Sequence, residues 1–121
     1  MKGNLQPVGQ YSQQFNDLTG QSLPCGTVYQ SPGLRTHILK HHPSRLNDMP
    51  LISSIIQSPD YIGHNPSHPD SIELVKVFQD NLMLCIKLDQ QNQRLYVATF
   101  FEITTSKLQS RLNTGRLVPF K

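Results

Sequence analysis

Tryptophan is absent from this chain of 121 residues, and cysteine occurs only twice. Cys25 lies in a Pro/Gly turn and Cys85 in an apolar run, so they offer neither a close metal-ligand pair nor a disulfide framework. A reducing, cytoplasmic setting suits this usage. Charged residues make up 16% of the chain, against about 25% in an average globular domain. Gln, Ser, Asn and Pro fill the shortfall. No run approaches the ~20 apolar residues of a membrane span, and the first residues lack the basic start and apolar stretch of a signal peptide. The expectation is a soluble domain with no membrane partner. The length suits one domain with one core.

Eleven Lys and Arg against eight Asp and Glu give a formal net charge of +3, and the isoelectric point is near 9.0. That balance tolerates a polyanion without demanding one. Five histidines add positive charge at mildly acidic pH.

Residues 1–26 carry Gln6, Gln10, Gln13, Gln14 and Gln21 among Gly, Ser and Asn, with apolar residues at no regular period. They read as a flexible arm or linker, with packing on the domain left open. The folded domain is expected over residues 27–121. Thr27-Val28-Tyr29 favours a strand, and Ser31-Pro32 opens a helix running to His42, which Pro43 stops. Leu51, Ile52, Ile55 and Ile56 form the stripe of a second helix, capped by Asp48 and ended by Ser58-Pro59. Gly63, Asn65, Pro66, Pro69 and Asp70 mark a loop from Asp60 to Asp70 that exposes Tyr61, His64 and His68.

Three strands follow in quick succession: Ser71 to Phe78, Leu82 to Leu88, and Arg94 to Ile103. Their short connections predict an antiparallel meander. Thr104 or Thr105 caps a last short helix through Arg111, and Asn113-Thr114-Gly115 ends it before a tail from Arg116. The predicted fold is α+β: helices pack on the apolar face of the meander, with a short C-terminal helix, and the other sheet face is left for a ligand.

His37 and His41 stand four apart, on one face of the first predicted helix, with Lys40 and His42 beside them. Three readings stay open. They are a basic helix end favoured by the macrodipole, a shared metal ion, or an acid-base pair near neutral pH. The metal reading is the weakest, because Ile38 stands where HExxH requires Glu. Lys76 interrupts the apolar strand Ile72 to Phe78. A two-residue turn at Asp80-Asn81 would turn it away from the apolar row, and a turn one residue longer would set it with Leu84 and Thr99. Lys107, Arg111 and Arg116 form a basic strip on and after the last helix.

Imidazoles, cations and a hydroxyl, with no carboxylate pair evident, are what a metal-independent ribonuclease needs. RNA carries its own nucleophile, the 2′-hydroxyl, beside the phosphorus. What remains is to remove one proton, donate another to the 5′-oxygen, and stabilise the phosphoryl oxygens.

From about Val28 onward the chain resembles the phage-associated branch of the barnase/EndoU/colicin/RelE-like nucleases. The resemblance is carried by Val28-Tyr29-Gln30-Ser31-Pro32-Gly33 leading into His37-Ile38-Leu39-Lys40-His41, by Ser58-Pro59-Asp60-Tyr61-Ile62-Gly63, by Glu73-Leu74-Val75-Lys76, and by Leu95-Tyr96-Val97-Ala98-Thr99. It implies helices followed by an antiparallel meander and RNA cleavage without a cofactor, commonly as a toxin or effector. By resemblance, His37 and His41 are the acid-base candidates, Lys76 the phosphate clamp and Thr99 a hydrogen-bond donor to the scissile group, while Tyr61 and Gly63 shape the loop. Lys40, Tyr61, Lys107 and Arg111 are the expected substrate contacts. No separate catalytic glutamate is evident, with Glu73 and Glu102 unresolved in facing. The partners implied are RNA and an acidic immunity or antitoxin protein. The rival reading is a noncatalytic nucleic-acid- or protein-binding module that retains the fold.

Overall fold

A computed structural model describes residues 5–120; residues 1–4 and 121, the outermost parts of the expected arm and tail, lie outside the described residues. It shows a mixed α+β protein built on a seven-stranded sheet of order β1-β2-β6-β5-β4-β3-β7. The strands are β1 Gln6–Tyr11, β2 Gly26–Gln30, β3 Tyr61–Gly63, β4 Ser71–Val77, β5 Asn81–Asp89, β6 Arg94–Ile103 and β7 Leu117–Pro119. The α-helices are α1 Gln13–Thr19, α2 Pro32–His41, α3 Ile52–Gln57 and α4 Thr105–Thr114, and a 3-10 helix fills Pro43–Leu51. Among the described residues no helix is long and apolar enough to cross a membrane.

The strands β4, β5 and β6 pair antiparallel in chain order, as their short connections predict. Four departures surround them. Residues 6–26 are not a loose arm: β1 pairs antiparallel with β2, and Tyr11, Phe15 and Leu23 are buried in the main core. The segment hides its order because it passes from strand to helix to coil within a few residues, so its apolar side chains never hold one period. A polar residue secures it. The buried Asn16 accepts from the Tyr11 hydroxyl at 2.6 Å and donates to the Leu23 carbonyl at 2.8 Å.

The second predicted helix is split. Pro50 lacks an amide hydrogen, and the chain runs as a 3-10 helix to Leu51 before α3 begins at Ile52. The expected loop from Asp60 starts with a strand, since β3 pairs with β4 on one side and β7 on the other. The expected tail supplies β7. Gly115 makes that return by ending α4 in the left-handed conformation, φ 82°.

The two faces of the sheet have separate cores. On one, Leu34 and Ile38 of α2 and Ile52, Ile55 and Ile56 of α3 pack on Leu74, Leu84, Ile86 and Phe100. On the other, α4 lays Leu108 against Val75, Met83, Ile103 and Leu117. The second face is therefore not free as expected; α4 covers one end and leaves a cleft at the other.

Candidate active site

Two irregularities of β6 build the cleft. The first is a β-bulge. Cys85 pairs with Thr99 but Ile86 pairs with Val97, so Ala98 is an extra residue. An extra residue reverses the facing of everything beyond it. Val97 thus joins the α2/α3 core with Phe100, whereas Thr99 and Phe101 turn to the opposite face, beside Cys85 and Met83. The second is that β2 pairs with β6 only at Leu95 and Tyr96, and beyond them α2 packs on β6. The helix brings His37 around that margin to the cleft.

The result is a cleft of about 420 Å³. His37 and Thr99 stand on one wall, Glu73, Cys85 and Lys87 on the floor, and Arg111 and Arg116 on the other wall. The His37 Nε2 and Thr99 Oγ1 share a hydrogen bond of 3.3 Å, with the ring tautomer setting which group donates. His41, one turn along α2, holds its ring 4.8 Å from that of His37. His42 stacks on Phe101 at 5.1 Å and 17°. Burial, then the nearby His37 and His41, hold the His42 pKa below that of a free imidazole. It packs behind the pair, where that burial disfavours the charged ring.

The cationic wall depends on β7. Arg116 donates from Nε and Nη2 to the two carboxylate oxygens of Glu73, at 3.0 and 2.7 Å, a forked pair that fixes the guanidinium plane. Glu73 is buried on β4, and β3 runs between the two, with Gly63 paired to both Glu73 and Leu117. A Cβ at Gly63 would fall 2.9 Å from the Arg116 carbonyl carbon and closer still to its oxygen. Only a bare Cα lets β7 approach so near.

Arg111 reaches the same cleft from α4, its Nη1 donating to the Met83 sulfur at 3.1 Å. Thioether sulfur is a weak acceptor, and among the described residues no carboxylate lies within ion-pair distance of Arg111. Burial, then Arg116, draw the Arg111 pKa below that of a free guanidinium, while Glu73 acts the other way. An arriving anion would meet a cation already stripped of part of its water. Cys85 on the floor is pushed up to about 11, mainly by burial and next by Glu73, so it presents a neutral thiol.

The structure brings His37, Thr99 and Arg111 together on the cleft, sets His41 beside His37 but off the cleft lining, and leaves other expected site residues outside. Lys76 pairs with Leu82, which sets it on the α2/α3 side of the sheet. Its Nζ donates to the carbonyl and hydroxyl oxygens of Ser58, at 2.7 and 3.2 Å, and it is no clamp for a phosphate in this cleft. The connection between β4 and β5 did set Lys76 on the row of Leu84; the bulge then moved Thr99 away from that row. Lys40 and Lys107 are exposed on α2 and α4 and do not line the cleft. Tyr61 packs against the α4 cluster rather than standing open on a loop. Glu102 pairs with Arg45 on the far side.

Residues missed as site groups are Arg116 in its forked pair, Lys87, and His68 and Asn65 of the loop, all lining the cleft. Alternation along β5 puts Lys87 on the face of Cys85, but nothing local links Glu73 to a residue 43 positions away. Among the described residues no group of three or more His, Cys, Asp or Glu is placed to hold a metal ion.

The family model described as phage-Barnase-EndoU-ColicinE5/D-RelE like nuclease3 matches residues 6–110. The match begins with β1, consistent with that strand being part of the fold. No curated protein and no solved structure matches the chain.

Proposed function

Because the chain belongs to the phage-Barnase-EndoU-ColicinE5/D-RelE like nuclease family, a nuclease family, we propose that it cleaves RNA by transesterification, the ribose 2′-hydroxyl attacking the adjacent phosphorus. The observation that carries the reading is the hydrogen-bonded His37 and Thr99 facing Arg111 and Arg116 across one cleft, with the His41 ring next to His37, 4.8 Å from it, at the cleft's margin. Each group answers one demand of the reaction. One imidazole takes the proton of the 2′-hydroxyl, and the other protonates the departing 5′-oxygen. Thr99 orients the His37 ring and hydrogen-bonds the scissile group, a role a hydroxyl fills as donor or acceptor. Arg111 and Arg116 hold the nonbridging oxygens as negative charge gathers on them.

Glu73 is occupied in positioning Arg116, so acid-base work falls to the histidines. Since the substrate supplies its own nucleophile, no water has to be ionised by a metal. A toxin or effector role fits such an enzyme, and an acidic immunity or antitoxin protein is the partner a cationic cleft would accept.

The test is a purified protein incubated with an RNA oligonucleotide in EDTA. The expected products carry 2′,3′-cyclic phosphate, and the all-deoxy analogue stays intact. His37→Ala and His41→Ala should each lose about 10²- to 10⁴-fold in rate while keeping the wild-type circular dichroism, since both side chains are exposed. Uncut RNA at high enzyme concentration, or products ending in a plain 5′-phosphate, would sink the proposal. Saturable binding without turnover would favour the noncatalytic module.

A further inference from the structure

Beside the cleft lies a second hollow, of about 570 Å³, between α1, β3 and the turn from α4 to β7. Resting on the ribonuclease reading, we propose that this hollow is a nucleoside-binding subsite. It would take the base of a nucleotide adjoining the scissile phosphate, and Arg116 would mark the passage between the two spaces.

The first support is continuity. Arg116 and Asn65 line both the cleft and the hollow, so the two spaces meet at these residues, and a strand with its phosphate against Arg111 and Arg116 would pass round Arg116 to set a neighbouring base on the hollow's bed, which belongs to the α2/α3 face of the sheet. The second is size, which lies within the ~300–1,000 Å³ of ordinary small-ligand sites. The third is chemistry. Leu18 and Val118, both half-buried, give the hollow an apolar bed suited to the face of a planar base, and the fully buried Ile62 backs it.

Polar groups at the rim remain available for the base edge. The Asn65 carbonyl oxygen accepts from the Ser67 amide at 3.0 Å, which holds the side chain and leaves its NH₂ to donate. His64 Nδ1 lies 3.0 Å from the Ser71 carbonyl oxygen. A carbonyl only accepts, so Nδ1 carries the hydrogen, and in the neutral ring Nε2 is left as an acceptor. One fixed donor and one fixed acceptor above an apolar bed are the elements of recognition by a base edge. No carboxylate lines the hollow, which suits a polyanion passing its mouth.

The experiment uses a short strand with a single ribonucleotide in an otherwise deoxy chain, so that one phosphodiester is cleavable, and two analogues lacking the base on either side of it. Removing one of the two bases should lower kcat/KM at least tenfold. Ser67→Trp, which fills the hollow from an exposed loop position, should impose a similar loss on the parent strand and little further loss on the analogue lacking that base. Ser67→Phe provides a smaller plug, and circular dichroism checks that both variants fold. Equal cleavage of parent and analogues, or a Ser67→Trp protein indifferent to the base, would overturn the subsite while leaving the ribonuclease reading intact. No cleavage of the parent by wild type would overturn both.

Discussion

Replacing Gly63 with alanine should damage the cleft from behind, through the backbone of β7. The added Cβ would be 2.9 Å from the Arg116 carbonyl carbon and also 2.9 Å from Leu117 Cδ2, with the carbonyl oxygen nearer. Cβ atoms essentially never come within 3.0 Å of another heavy atom, so β7 must retreat by about 1 Å. Overpacking of this kind costs roughly 1–3 kcal/mol. If the retreat also parts Arg116 from Glu73, a buried carboxylate loses its partner, and the total moves toward the ~3–5 kcal/mol typical of a broken buried pair.

The catalytic effect should be as large. Displacing a charge-stabilising group by about 1 Å costs on the order of 10²-fold in rate. Urea unfolding gives the stability, and kcat on an RNA oligonucleotide gives the displacement of Arg116. The matched control is Gly33→Ala in α2, where the new Cβ meets only the Ser31 hydroxyl at 3.6 Å. That change should be neutral or stabilise by about 0.4–1 kcal/mol. A Gly63→Ala protein within 0.5 kcal/mol of wild type and with unaltered kcat would refute the reasoning, because β7 would then have room that the structure denies it.

Two further outcomes follow from the same geometry. Lys76→Met removes the bonds to Ser58 on the far side of the sheet; it should cost about 1 kcal/mol of stability and leave RNA cleavage at the wild-type rate, and a large loss of kcat would return Lys76 to the site. His42 has a folded-state pKa below its usual 6.5, so the unfolded chain binds more protons as pH falls through that range. Its contribution is therefore present above pH 6.5 and is lost as pH falls toward the lower folded value. His42→Phe keeps a ring against Phe101 and should flatten the loss of stability seen by urea titration between neutral and mildly acidic pH; an unchanged slope would assign that loss to other groups.

Reading the chain in order recovered the elements whose signals are local. The meander β4 to β6 follows from period-two alternation and polar turns, α2 from Ser31-Pro32 and Pro43, and the end of α4 from Gly115. The i, i+4 spacing of His37 and His41 was equally plain, because helix geometry alone sets it. The proposed active site then required contacts that no local pattern encodes. Thr99 faces His37 only because the bulge at Ala98 reverses β6, and the alternation of Val97, Thr99 and Phe101 gives no sign of it.

Lys76 looked like the phosphate clamp because a cation in an apolar strand stands out, yet which face it occupies depends on register. The two arginines of the cleft, Arg111 and Arg116, stood in the sequence as parts of one basic strip, Arg111 also as an expected substrate contact, and only α4 folded over the sheet and β7 turned back beside β3 set them on one wall. Periodicity and capping act over one or two turns of chain, and these determined the elements. The cleft is set by pairing across β3 and by one extra residue in β6, and those belong to the tertiary structure, since the partners they join lie dozens of residues apart.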